Sequence, residues 1–138
     1  MTVVLGYDES PGAVRALRAA IEVSTAFGEP LVLVYGAAAP GAVGEEYRAH
    51  REAIHQAGRI ALDHAVTAAD EAGVPTTVEI LDQRPAQALI DAASRHGARF
   101  IVVGTWGESP MRGALLGSTP HKLLHLSSIP VLCVPTEQ

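Results

Sequence analysis

Five short apolar runs separated by four helical patterns limit the folds open to this chain. Val3-Val4-Leu5, Leu31 to Tyr35, Phe100-Ile101-Val102-Val103 and Val131-Leu132-Cys133-Val134 are apolar without alternation, as in strands covered on both faces. Thr76 to Leu81 alternates more and reads as an edge strand with one face partly exposed. Ser10 and Pro11 open the first helix as cap and first-turn residue; it carries Val14, Leu17 and Ile21 and stops near Gly28 and Pro30. A long second helix runs from about Glu45 to Ala72, with a stripe of Ile54, Ala57, Ala61, Ala65 and Ala68. Pro85 opens a third helix, with Leu89, Ile90 and Ala93 inward and His96-Gly97 at its close; a fourth passes through Leu123, Leu124 and Leu126. Strictly alternating strands and helices predict an α/β, single-domain, doubly wound, five-stranded and mostly parallel sheet with helices on both faces. Ligands of such sheets bind beyond the carboxyl ends of the strands, where strand order reverses.

One stretch stands out against this plan. From Gly104 to Thr119 the chain reads Gly-Thr-Trp-Gly-Glu-Ser-Pro-Met-Arg-Gly-Ala-Leu-Leu-Gly-Ser-Thr, directly after the fourth apolar run and before the last helical pattern. Its glycines permit close approach of a ligand to the backbone. Ser118 is placed to cap the following helix, whose free N–H groups and positive dipole end attract phosphate or carboxylate. A merely flexible glycine loop is the alternative. Two common nucleotide templates fail. Gly117 is followed by Ser118 with no lysine, so there is no Walker A loop. Only Gly6 and Gly12 occur near the end of the first run, so the dinucleotide fingerprint is missing as well.

At 138 residues the chain suits one domain, spanning 1–138, and a second core is not expected. Its apolar runs are too short to cross a bilayer, so no membrane association is expected. The N-terminus has neither the basic region nor the apolar core of an export signal, which makes the cytoplasm the expected location. Ten Lys plus Arg against fifteen Asp plus Glu give a formal charge of −5, which disfavours a nucleic-acid partner because phosphate-backbone binding needs clustered positive charge. An anionic ligand must therefore be met locally. The single cysteine, Cys133, excludes an internal disulfide, and its apolar neighbours predict a buried structural thiol.

The spacing Gly104-x2-Gly107-x9-Gly117-Ser118, Thr119 directly after it, the opening Gly-Tyr-Asp-Glu-Ser and the closing Leu-Ser-Ser-Ile-Pro-Val-Leu-Cys-Val-Pro resemble the universal stress protein family over essentially the whole chain. The glycine spacing is that of the family's nucleotide-binding subgroup. The resemblance implies sheet order 3-2-1-4-5, a homodimer formed through the last strand, Val131, Leu132, Cys133 and Val134, and an ATP crevice between the first and fourth strands. Gly104 and Gly107, with Thr105 between them, would approach ribose and phosphates; Gly117, Ser118 and Thr119 would hold phosphate oxygens. Val34, Tyr35 and Gly36 match the segment whose backbone meets adenine. Asp8 matches the aspartate that ends the first strand.

The chemistry of these groups suits those roles. Backbone N–H groups solvate phosphate without a cationic side chain, and Arg112 would add a charge-assisted contact. Asp8 repels a bare triphosphate, so it would bind a ribose hydroxyl or act through a nucleotide-bound divalent ion, with ATP and Mg as the expected cofactors. Its alternative is local: an aspartate beside Ser10 and Pro11 can simply organise the turn. Three residues depart from the family pattern. Trp106 stands where small or basic residues are commoner, Pro120 removes a first-turn N–H, and Gln83-Arg84-Pro85 replaces Gly-x-Pro in a segment expected to lie away from the phosphate motif.

His121 and His125 are four apart and share a helix face, yet no Cys or Glu completes a zinc pattern, so no metal site is assigned to them. No hydrolase elbow surrounds Ser10, Ser109 or Ser118, and no catalytic residue is assigned. The expected activity is ATP binding as a nucleotide-dependent regulator in stress response, with at most slow hydrolysis and a protein partner the sequence does not identify. Two alternatives belong to other classes. One is an ATP-dependent adenylyl-transfer enzyme of related α/β fold, whose Ser-Gly-Gly-x-Asp-Ser or His-x-Gly-His motifs are missing near the first strand; the other is a nucleotide-free interaction module with Trp106 filling the crevice.

Overall fold

The structure, a computed structural model, describes residues 1–38, 44–105 and 116–135. In chain order the elements are β1 (Thr2–Gly6), α1 (Pro11–Phe27), β2 (Leu31–Gly36), α2 (Glu45–Glu71), β3 (Thr76–Leu81), α3 (Pro85–His96), β4 (Ala98–Gly104), α4 (Ser118–Leu126) and β5 (Val131–Val134). The strands form one sheet in the order β3-β2-β1-β4-β5, and every pairing is parallel. This is the expected doubly wound fold, and β3 takes the edge position that its sequence pattern indicates.

Side chains alternate across the sheet, and each face has its own core. Val3, Leu5, Leu31, Leu33 and Val102 meet α1 and α2 through Ala13, Ala16, Leu17, Ala61, Leu62 and Ala65. Val4, Val32, Val34, Ile101 and Val103 meet α3 and α4 through Ala88, Leu89, Ala92 and Leu123. Alanine dominates the helix faces, which lets the helix backbones lie close to the bulky branched residues of the strands.

Local signals set the helix ends. Ser10 has extended backbone angles and its Oγ accepts the Ala13 N–H at 3.2 Å, with Pro11 following in the first turn. Gly28 and Gly97 close α1 and α3 with φ of 66° and 60°, a left-handed conformation that a side chain disfavours.

The structure moves several sequence assignments. On α2, Ala57 is exposed and Ala68 only half-buried; the inward stripe runs through Gly58, Ala61, Leu62, Ala65 and Ala69. Gly58 is inward because Tyr35 occupies the space beside it: a Cβ there would lie 2.7 Å from the ring. On α4 only Leu123 is buried among the leucines, while Leu124 and Leu126 are 53% and 65% exposed. Cys133 is half-buried instead of enclosed, because β5 is the sheet edge; partial burial still pushes its thiol pKa up. Ser118 does not cap α4: it is the first helical residue and Gly117 holds the cap position.

Candidate functional site

Strand order reverses between β1 and β4, and their carboxyl ends open there into a crevice of about 350 Å³. Gly6, Tyr7 and Asp8 leave β1 along one wall, and Val34, Tyr35 and Gly36 leave β2 beside them. Gly104 at the end of β4 lines the same crevice, as do Gly117, Ser118, Thr119 and Pro120 at the start of α4. Of the residues singled out in the sequence, Asp8, Val34, Tyr35, Gly36, Gly104, Gly117, Ser118 and Thr119 are therefore brought together. Gly107, Arg112 and Trp106 lie outside the described residues.

Two glycines owe their identity to backbone neighbours. A Cβ on Gly104 would lie 2.7 Å from both the carbonyl carbon and oxygen of Gly12, so the end of β4 reaches the start of α1 only without a side chain. A Cβ on Gly36 would lie 2.8 Å from the Pro85 Cα and nitrogen and 2.9 Å from the Gln83 carbonyl oxygen. Both contacts are with backbone, which cannot swing aside as a side-chain end can.

Thr105 does not line the crevice; its backbone positions the residues that do. The Thr105 N–H donates to the Val134 carbonyl at 3.0 Å, and its carbonyl accepts the Gly117 N–H at 2.6 Å. This pins the start of α4 to the end of β4. The first intrahelical bond of α4 runs from the His121 N–H to the Gly117 carbonyl at 3.2 Å. Pro120 has no N–H, so Ser118 and Thr119 supply the first-turn donors for a ligand. Their hydroxyls form no hydrogen bond among the described residues.

Asp8 has a structural task as well as a place at the site. Its Oδ1 accepts the Ser10 N–H at 3.0 Å, the turn-organising contact that its neighbours suggest, while its Oδ2 carries no hydrogen bond among the described residues. The next residue, Glu9, has φ of 65°, a left-handed value costing about 1 kcal/mol for a residue with a side chain. Its carboxylate pairs with the His64 imidazole on α2, outside the crevice lining. Tyr7 is buried, and its hydroxyl pKa is raised first by that burial and then by the Asp8 charge.

The sequence reading missed the contribution of α3. Pro85 and Leu89 line the crevice, so the Gln83-Arg84-Pro85 segment lies beside the phosphate motif and not away from it. Pro85 is legible as a helix opener and Leu89 as core, but nothing local to either shows that the N-termini of α3 and α4 converge. The turn leading into α3 is held by Asp82, whose pKa is lowered to about 2 first by the hydrogen bond from Arg51 and then by that of His55. Both partners are on α2.

The His121 and His125 rings meet edge to face at 4.8 Å. Among the described residues no group of three or more His, Cys, Asp or Glu side chains is arranged to hold a metal. Nor is any described helix long and apolar enough to cross a membrane.

The model of the universal stress protein family matches residues 1–135. A universal stress protein of Thermus aquaticus is 33% identical, the match covering 96% of this chain and 97% of that protein. One from Bacillus subtilis is 34% identical over 84 residues, which is 61% of this chain and 57% of the relative. A solved universal stress protein in complex with cAMP superposes with TM-score 0.71 at 26% identity, covering 99% of this chain and 98% of that one.

Proposed function

The chain belongs to the universal stress protein family, and from that membership we propose that its crevice binds an adenine nucleotide, ATP with Mg in the full form of the proposal. The observation that carries the reading is that two features line one crevice: Asp8 after the end of β1, and the first turn of α4, which no side chain caps. An uncapped helix start attracts phosphate, and a carboxylate suits a ribose hydroxyl. A volume of about 350 Å³ is within the usual range for a small-molecule site. The solved relative with cAMP supports the ligand class.

The residues fit such a ligand. Gly36 and Gly104 leave backbone at the crevice surface, Ser118 and Thr119 would donate to phosphate oxygens, and the Asp8 Oδ2 would take a ribose hydroxyl or one position on a phosphate-bound Mg. Backbone of Val34 to Gly36 would meet the adenine edge.

The proposed role is regulatory. A ligand bound only by the folded state stabilises it by about 2.7 kcal/mol at a hundredfold excess over Kd, enough to alter lifetime or partner choice. We assign this role to the cytoplasm and to a homodimer formed along β5, an open edge whose Leu132 is 38% exposed. Calorimetric titration with AMP and with ATP plus Mg tests the reading. A saturable heat with an equimolar endpoint is expected; no heat and no melting shift at millimolar nucleotide would contradict it.

A further inference from the structure

This inference rests on the nucleotide reading of the crevice and concerns what lies past its phosphate end. A second concavity of about 380 Å³ adjoins the first and shares Gly36, Pro85, Ser118 and Thr119 with it. It continues to Arg84 before α3 and to Lys122 in α4.

Both cations are exposed, and neither is paired with a carboxylate among the described residues. The acidic groups nearest in sequence to Arg84 are engaged elsewhere. Asp82 holds Arg51 and His55, Glu79 holds Arg95 and His96, and Asp91 accepts from Gln83 and Gln87. Two positive groups thus line one concavity with no carboxylate among its described lining residues, in a chain of formal charge −5.

Charge counting gives this placement its meaning. The first turn of α4 offers two N–H donors because Pro120 has none, which suits a single phosphate group. Each further phosphate brings negative charge, and among the described residues Arg84 and Lys122 are the cations that line the adjoining concavity. A guanidinium binds phosphate oxygens in a fork and an ammonium meets them as a point charge.

We propose that the second concavity takes the distal phosphates of a nucleoside polyphosphate, and that Arg84 and Lys122 make this chain favour adenine di- and triphosphates over monophosphates. The two residues read the length of the phosphate chain, whereas the crevice proper reads the nucleoside and the first phosphate.

The test compares Kd for AMP and for ATP with Mg, in the wild type and in an Arg84→Gln/Lys122→Gln double variant. Apo melting curves check folding. The wild type should bind ATP at least about tenfold more tightly than AMP, and the double variant should lose about tenfold of that ratio. Wild-type affinity for ATP should also fall more steeply with added salt than affinity for AMP, a measurement that needs no variant. An ATP/AMP ratio near one in the wild type, equal salt dependence of the two nucleotides, or an unchanged ratio in the double variant overturns this inference and leaves the crevice reading standing. A wild type that binds neither nucleotide overturns the crevice reading itself.

Discussion

A Gly104→Val variant is expected to lose nucleotide binding by more than about tenfold and to be destabilised by about 2–3 kcal/mol, the upper range for overpacking a rigid site. The cause is local. Any Cβ at this position meets the carbonyl carbon and oxygen of Gly12 at 2.7 Å, and Gly12 is buried in the first turn of α1. The strain is relieved only by parting β4 from α1, which displaces the crevice floor together with Thr105, the residue that pins Gly117. Gly6→Ala provides the contrast. Its Cβ would lie 2.9 Å from Leu89 Cδ1, the end of a flexible side chain, so a cost below about 1 kcal/mol is expected. Urea unfolding of the two variants beside the wild type measures the difference. Equal midpoints for Gly104→Val and wild type would show that the contact with Gly12 does not constrain the fold.

Leu5→Ala is expected to cost about 3 kcal/mol, within the range measured for removing leucine from a packed interior. Leu5 is fully buried on the central strand, pairs with Leu33 of β2 and Val102 of β4, and faces the core shared with α1 and α2. The loss is a large part of the stability of about 5–15 kcal/mol typical of a domain. Linkage adds a second readout: saturating nucleotide should restore about 2.7 kcal/mol at a hundredfold excess over Kd, in the variant as in the wild type. A loss below about 1 kcal/mol would mean that the face formed by α1 and α2 repacks around the cavity.

Much of this architecture is legible in the residues because its signals are local. Unbroken apolar runs mark the strands, and Pro11, Pro85, Gly28 and Gly97 mark helix ends; the limits of β3, α3 and β5 fall where the residues put them. Strand order is not local, and it followed from family resemblance alone. Gly58 was missed on α2 because a glycine reads as a weak helix residue, whereas its role depends on the Tyr35 ring from another element. Pro85 was misplaced for the same reason, since its distance from Ser118 and Thr119 is set by how α3 and α4 pack on the sheet. Asp8 is legible as a turn organiser because Ser10 and Pro11 stand beside it, and the structure bears that out through Oδ1, leaving Oδ2 without a hydrogen bond among the described residues.

The crevice beyond the carboxyl ends of β1, β2 and β4 is the proposed site of adenine-nucleotide binding. Titrating AMP into ¹⁵N-labelled protein while following backbone amide shifts tests binding and location together. Saturable shifts are expected, largest at Gly6, Asp8, Gly36, Gly104, Ser118 and Thr119, with little change along the outer face of α2. Shifts concentrated on the β5 edge or on α2, or none at millimolar AMP, would contradict it.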